Sequence, residues 1–314
     1  MLGLTTNVAE RPDRLQLSIA GIGIELTWEG SWLAEEPTWK FYEAFVTKGH
    51  QPSHAGRLDA RWRVHCGKLP TLKADGMIFD ARPNHWRLFR SSARYALEVF
   101  STAPPHPRTQ LAVMASDFRA GDVHIRPDGP SPNPSWSLTQ LMRPFGELLM
   151  INLLSQGHGV LLHALGVNDR GAGLLFVGAS GAGKTTLGDL YQRFSDVTVL
   201  GDERVVVTWA GGQFWLSGTP WPGGGFTVSA ETVPLRKVFF LEHGPCNALI
   251  ADAHLTLYGL LFQQLFLPFW SREALAFAMR FGEELLSKVP AARLAFVNDA
   301  RVIEFLRNTV RREG

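Results

Sequence analysis

Hydrophobic and polar residues alternate with a period of two through most of the first 125 residues. Rows of apolar residues at every second position begin at Leu15, Ile22 and Ala60 and recur as far as Ile125. Alternation of this kind predicts β-strands with one buried face, as in an antiparallel sheet. One helix is expected among the strands, over residues 38–46. We therefore expect residues 1–126 to form a mostly antiparallel, β-rich N-terminal domain.

A proline-rich segment follows this domain. Residues 127–136 carry four prolines, and proline continues neither a helix nor a central strand. We interpret the segment as a linker or a long surface loop, with a second domain over residues 137–314.

The hydrophobic pattern changes after the linker to short apolar runs alternating with stretches of helical spacing. A helix is predicted over 137–156, divided at Pro144. The further predicted strands cover 160–165, 174–177, 197–200, 205–209, 235–241 and 293–297, and the further helices cover 184–194, 254–266, 271–288 and 300–311. Ser271 is expected to be the N-cap of the helix that reaches Lys288. Strands that alternate with helices predict an α/β domain with a largely parallel central sheet.

Composition narrows the class of protein. The chain has 314 residues, 45% of them apolar, and a net charge of +2, which gives no sign of a nucleic-acid partner. Two cysteines, Cys66 and Cys246, are too few for a disulfide framework or a thiolate zinc site. No apolar run approaches the ~20 residues of a membrane helix, and the N-terminus lacks the pattern of a signal peptide. These features predict a soluble, cytoplasmic protein with no membrane partner.

The most specific chemical signal is a phosphate-loop motif. Two glycines, Gly178 and Gly183, bracket four residues and are followed by Lys184 and Thr185, which matches the pattern G-x-x-x-x-G-K-[ST]. The small residues that let this backbone curl around phosphate oxygens are Gly178, Ala179, Ser180, Gly181, Ala182 and Gly183. Backbone amides at a helix start bind phosphate, the Lys184 ammonium reaches the β- and γ-phosphates, and the Thr185 hydroxyl is a magnesium ligand. The motif predicts binding of a nucleoside triphosphate with Mg²⁺.

Two adjacent carboxylates follow the motif closely. Asp202 lies 18 positions after Lys184, which leaves room for one helix and one strand. Asp202 and Glu203 are therefore expected at the C-terminal end of the next strand, where ligands bind in open α/β sheets. They are candidates for metal binding and proton abstraction, with a solvated acidic turn as the alternative. The neighbouring Arg204 pairs either with a carboxylate or with phosphate.

Two features beside the motif have open interpretations. His163 lies on the strand just upstream, and is either a packed core histidine or part of the site. Residues 218–225, GTPWPGGG, form either a mobile loop that closes over substrate or a turn.

The sequences HALGV, GASGAGKTT and LGDE, in this order and spacing, resemble the HPr kinase/phosphorylase-like branch of P-loop proteins. The core is also similar to ATP-dependent phosphoenolpyruvate carboxykinase. GTPWPG followed by PLRKVFFLEH resembles an uncharacterised bacterial subgroup in which an upstream β-rich segment is usual. The resemblance covers residues 137–314 and implies a P-loop α/β fold there.

The resemblance also implies roles for individual residues. Lys184, Thr185 and Thr186 would hold ATP and magnesium. Asp202 would be the catalytic carboxylate, with Glu203 beside it, and His163 would line the site.

Together these features predict a kinase that transfers the γ-phosphoryl group of ATP to a hydroxyl, with serine of a protein or peptide favoured. The acceptor stays open between a protein, a peptide and a small molecule, since the acidic pair is Asp-Glu where HPr enzymes carry Asp-Asp. The alternative is a nucleotide-responsive binding module with little or no phosphotransfer. Related proteins often assemble, so a homo-oligomer is also an open expectation.

Overall fold

A computed structural model describes residues 14–30, 32–34, 36–47, 58–72, 74–81, 85–91, 93–127, 135–225 and 227–313. The protein is mixed α/β with two large sheets. It divides into two compact units, Met1–Leu149 and Met150–Gly314. This division falls inside the helix Phe145–Leu154. The linker expected from sequence lies earlier in the chain, and residues 128–134 of it are outside the described residues.

The first unit consists mainly of strands. Its strands are β1 Arg14–Ile19, β2 Ile22–Trp28, β3 Trp32–Leu33, β4 Leu58–Cys66, β5 Gly76–Asp80, β6 Trp86–Ser91, β7 Arg94–Phe100, β8 Arg108–Ala115, β9 Ala120–Ile125 and β10 Ser135–Trp136. Its helices are α1 Lys40–Glu43, α2 Leu138–Met142 and α3 Phe145–Leu154, which continues into the second unit. The helix predicted over 38–46 is a short 3₁₀ turn, Pro37–Trp39, followed by α1. The predicted break at Pro144 lies between α2 and α3.

The sheet of the first unit has the order β1-β2-β4-β9-β8-β7-β6-β5. Neighbours are antiparallel except for the pairs β2–β4 and β4–β9, which are parallel. The predicted apolar rows supply the buried face, as Leu15, Leu17 and Ile19 of β1 illustrate, with exposures of 8%, 1% and 0%. The period-two pattern thus predicted both the strands and the face that packs.

The second unit contains the predicted site. Its strands are β11 Gly159–Asp169, β12 Ala172–Val177, β13 Val197–Gly201, β14 Arg204–Ala210, β15 Gln213–Ser217, β16 Thr232–His243, β17 Ala248–Ile250 and β18 Ala291–Phe296. Its helices are α4 Lys184–Tyr191, α5 His254–Phe262, α6 Arg272–Lys288 and α7 Arg301–Glu313. Ser271 caps α6 as expected, its side chain accepting a hydrogen bond from the Ala274 amide. Within the described part of the chain, no helix is long and apolar enough to cross a bilayer.

The largely parallel sheet predicted for this unit is wrong. The strand order is β12-β11-β14-β15-β16-β18-β17, with β13 added on β11, and β12 also pairs with β16. Among the described residues, β12–β16 and β16–β18 are the parallel pairs, and the other neighbours are antiparallel. Tight hairpins are the reason. Arg170-Gly171 joins β11 to β12 and Gly211-Gly212 joins β14 to β15, all with positive φ, as two-residue hairpin turns require.

Four strands nevertheless run in one direction. β12 and β13 are both antiparallel to β11, and β16 and β18 are parallel to β12. Their carboxyl ends therefore lie at the same edge of the sheet, which is where the site is built.

Two apolar clusters hold the helices on this sheet. One contains Leu257 and Leu261 of α5 and Phe281 and Leu285 of α6. The other contains residues of α4 and α7, namely Leu187, Leu190, Val302, Ile303 and Leu306. The core thus lies between the strands and two separate pairs of helices, and it leaves the carboxyl edge free for polar side chains.

Candidate functional site

The phosphate-loop segment forms a strand, a turn and a helix. Strand β12 ends at Val177, and α4 begins at Lys184. Gly181 and Gly183 have φ values of +81° and +95°, a left-handed conformation that favours glycine. The backbone conformation therefore favours glycine at both positions, of which Gly183 belongs to the motif and Gly181 to the four residues that it brackets.

A second constraint, from packing, also requires glycine at position 183. A Cβ there would lie 2.7 Å from Cζ of Phe296, the last residue of β18. The Phe296 ring stacks with His243, the last residue of β16, at 6.2 Å between centroids. The His243 Nε2 lies 2.9 Å from the carbonyl oxygen of Gly181, so Nε2 carries the proton and donates. The last residues of β16 and β18 thus pack against the loop.

Lys184 lies inside the loop with 7% of its surface exposed. Its Nζ donates hydrogen bonds to the carbonyl oxygens of Gly178, at 2.6 Å, and Ala179, at 3.2 Å. Burial lowers the pKa of Lys184, and the negative charge of Glu203 opposes this shift. The ammonium is therefore bonded to the loop and lies within the electrostatic reach of Glu203.

The remaining predicted loop residues lie towards solvent. Ala179, Ser180, Gly181 and Thr185 are exposed, and Thr186 is partly buried. Within the described ranges, no group of three or more His, Cys, Asp or Glu side chains is arranged to hold a metal.

The acidic pair stands at the same edge of the sheet as the loop. On β11, Ala164 pairs with Val177 at the end of β12, and Gly166 pairs with Gly201 at the end of β13. Asp202 follows Gly201 directly and is 5% exposed. This juxtaposition agrees with the place that spacing predicted for the pair.

The two carboxylates have different neighbours. Asp202 accepts hydrogen bonds from the backbone amides of Gly223, at 2.8 Å, and Gly225, at 2.6 Å. Glu203 pairs with Arg204, with 2.7 Å between Oε1 and a guanidinium nitrogen. Sequence analysis left a carboxylate or phosphate open as the partner of Arg204, and in the structure Arg204 pairs with the Glu203 carboxylate.

His163 lies near the same charged residues, Lys184, Glu203 and Arg204. It is half-buried on β11, and burial lowers its pKa first, followed by the positive charge of Lys184. Glu203 opposes the shift, and a side-chain hydrogen bond with Gln264 does so more weakly. Since 6.5 is the ordinary value, the imidazole is neutral at pH 7 and is available to accept a proton.

Residues 218–225 pack against the end of β13. Thr219, 0% exposed, donates from its hydroxyl to the Arg204 carbonyl at 2.7 Å, and Trp221 is 1% exposed. A Cβ on Gly218 would lie 2.0 Å from the Ser229 carbonyl oxygen. Of the two interpretations left open, a packed connection fits the first half of the segment, and only residues 223–225 approach solvent.

Sequence reasoning did not identify His243 or Gln264 as site residues, and it named Gly223 and Gly225 only as part of the segment 218–225, with a substrate loop as one of two interpretations. His243 had a usable signal, because it ends a strand of the same apolar type as the one that enters the loop. Gln264 had no such signal, and nothing in the sequence pointed to the contacts of the two glycines with Asp202, since these contacts arise only from folding.

A groove of about 370 Å³ lies apart from these residues, on the sheet of the first unit. Arg61, Arg63 and Arg94 line it together with Glu25 and Asp122. None of the predicted site residues borders this groove.

No protein-family model matches the chain, and no curated protein matches it. Among solved structures, the chain is similar to the Hpr(Ser) kinase/phosphatase from Coxiella burnetii, with 11% identity over 49% of this chain and 88% of that one. The TM-score is 0.27. Likeness at this level carries no argument about function.

Proposed function

We propose that this chain is an ATP- and Mg²⁺-dependent kinase that transfers the γ-phosphoryl group to a hydroxyl, with serine of a protein or peptide as the acceptor. One observation carries the proposal. One edge of the sheet holds the phosphate loop with Lys184, the Asp202-Glu203 pair and His163. These groups are close enough that Lys184 lowers the pKa of His163 and Glu203 raises the pKa of both Lys184 and His163. The resemblance of the motifs to HPr kinase-like proteins points the same way.

The loop and Lys184 would bind the triphosphate. Loop amides at the start of α4 suit phosphate oxygens, and the Lys184 ammonium is held beside them by two loop carbonyls. On binding, phosphate oxygens would replace those carbonyls as partners of the ammonium. The exchange would be favourable because phosphate carries a negative charge and the carbonyls are neutral.

The donor set beside the loop fits magnesium. Thr185 is exposed in the first turn of α4, and Glu203 supplies carboxylate oxygens, the hard ligands that Mg²⁺ prefers, whereas both oxygens of the adjacent Asp202 are held by backbone amides. When bound, the ion neutralises charge on the transferring phosphoryl group. Thr186 would complete the nucleotide contacts.

The acceptor hydroxyl would meet a carboxylate and a neutral imidazole. A group that takes or orients the acceptor proton is needed at such sites, and Glu203 and His163 are both electrostatic neighbours of Lys184. The burial that lowers the pKa of His163 keeps it in the form that accepts a proton.

Substitution of Lys184 tests the nucleotide role. In Lys184→Ala, labelled ATP should bind at least ~100-fold more weakly, since a buried charge-assisted contact to phosphate is lost, and turnover should disappear. The matched control is Lys288→Ala on α6, where the ammonium pairs with Glu284 on the surface. Retention of ATP binding and turnover in Lys184→Ala would refute the proposal.

The alternative is a nucleotide-responsive binding module, and one observation favours it. Lys184 is held by its own loop, and Asp202 is held by two backbone amides, so nucleotide binding would rearrange both. Incubation with γ-labelled ATP, several divalent metals and cell lysate separates the two functions. Transfer of label supports the kinase, whereas tight ATP binding without transfer supports the module.

A further inference from the structure

Asp202 is engaged on both of its oxygens. Oδ1 accepts from the Gly223 amide at 2.8 Å and Oδ2 from the Gly225 amide at 2.6 Å, and the side chain is buried. Hydrogen bonds from amides to a carboxylate are among the stronger ones in proteins. We call these two bonds the latch.

Sterics show that the latch requires glycine at both positions. A Cβ on Gly223 would lie 2.8 Å from the Glu203 Cβ and 2.9 Å from Asp202 Oδ2. A Cβ on Gly225 would lie 2.9 Å from the same Oδ2. A Cβ on Gly224, between them, would meet nothing within 4 Å. The backbone at Gly223 and Gly225 must therefore approach the carboxylates closely, while Gly224 faces open space.

The latch continues a longer contact along the end of β13. On one side of it, Thr219 bonds the Arg204 carbonyl. On the other side, Val228 bridges to Gly201 and the Ser229 amide donates to the Leu200 carbonyl at 3.1 Å. Contacts on both sides of the latch thus hold this part of the chain against residues 200–204. The latch itself fixes Gly223, which lies next to Glu203.

From this geometry we infer that Asp202 is a positioning residue, which acts through the amides of Gly223 and Gly225, and that Glu203 is the carboxylate that meets the reacting groups. The inference rests on the proposed kinase function and sharpens it. The side chain of Glu203 is 36% exposed and pairs with Arg204 through one oxygen, whereas Asp202 is buried and both of its oxygens accept from backbone amides. The latch therefore fixes the position of residues 223–225, which an acceptor must pass to reach Glu203.

Hydrogen–deuterium exchange tests the latch without any assay of activity. An asparagine offers one acceptor oxygen and an NH₂ group, so Asp202→Asn can satisfy only one of the two amides. We expect exchange at Gly223 or Gly225 to become ~10- to 100-fold faster in Asp202→Asn, and to stay unchanged in Glu203→Gln and Gly224→Ala. Unchanged exchange at both amides in Asp202→Asn would overturn the latch.

A double-mutant cycle tests the positioning role, with turnover of γ-labelled Mg²⁺-ATP as the readout. Asp202→Asn and Gly225→Ala disturb the latch from opposite sides, and each should lower kcat ~10- to 100-fold with ATP affinity little changed. If Asp202 acts only through the latch, the double variant loses no more than the more affected single variant. Glu203→Gln should lower kcat at least ~100-fold with the latch intact, and Gly224→Ala should match the wild type.

The outcomes separate this inference from the proposed function. Losses that multiply in the double variant would mean that Asp202 meets the reacting groups directly, and the positioning role would be wrong. Full turnover in Glu203→Gln would overturn the role of Glu203. If the wild type turns over no ATP, the kinase proposal and the catalytic part of this inference both fail, while the exchange result still decides whether the latch exists.

Discussion

Replacing Gly183 with alanine should destabilise the second unit more than the same change at Gly181, although both glycines belong to one loop. Both have left-handed backbones, with φ of +95° and +81°, which cost an alanine about 1–2 kcal/mol. Their surroundings differ. A Cβ at 181 meets nothing within 4 Å, whereas one at 183 lies 2.7 Å from the Phe296 ring.

The extra cost at 183 follows from the packing of Phe296. The ring is 2% exposed, belongs to the cluster that holds α4 and α7, and stacks on His243, so it has little room to retreat. Overpacking of this kind costs about 1–3 kcal/mol. We therefore expect losses in the free energy of unfolding of about 2–5 kcal/mol for Gly183→Ala and about 1–2 kcal/mol for Gly181→Ala.

Urea unfolding followed by tryptophan fluorescence measures both losses. Phe296→Leu removes the atom that the new methyl group strikes, so it should recover part of the loss in the Gly183→Ala background and none in the Gly181→Ala background. Equal losses at the two glycines, or no recovery with leucine, would refute the steric argument.

Two further predictions concern charges. Lys184→Met should raise the pKa of His163 towards its ordinary value of 6.5, because the Lys184 charge is the second cause, after burial, that lowers it; an NMR titration of the imidazole checks this, and an unchanged pKa would contradict the proximity of the two groups. Arg307→Met should cost about 3–5 kcal/mol of unfolding free energy, because Asp169, with a side chain 5% exposed, loses the guanidinium that binds both of its oxygens. Arg301→Met, whose side chain is 81% exposed, should leave the free energy of unfolding almost unchanged, and similar losses in the two variants would show that burial does not matter here.

The local elements were largely predictable, because they depend on short-range rules. Alternation predicted β1, β2 and β4 with their buried faces, and the motif predicted that a strand enters the phosphate loop and a helix leaves it. Ser271 was a correct cap, and Pro144 was a correct break. In each case the responsible side chain or backbone constraint acts within a few residues of itself.

Pairing between strands was not predictable in the same way. The alternation of strands and helices in the second half favoured parallel neighbours, yet the two-residue turns at 170–171 and 211–212 close antiparallel hairpins. The glycines in those turns were a signal for hairpins that the broader pattern outweighed. Sequence spacing did place the acidic pair beside the loop, because β12 and β13 point the same way on either side of β11.

The amino-acid sequence alone determined which residue types could do chemistry here: a glycine-rich loop with Lys184, two adjacent carboxylates and a histidine on the strand before them. Only the tertiary structure decided their neighbours, because contacts such as those of Asp202 with Gly223 and Gly225 join residues more than twenty positions apart. A carboxylate has the same sequence signature whether its oxygens accept from backbone amides or pair with an arginine. The fold distinguishes Asp202 from Glu203 in this way, and their catalytic roles remain predictions that the proposed variants test.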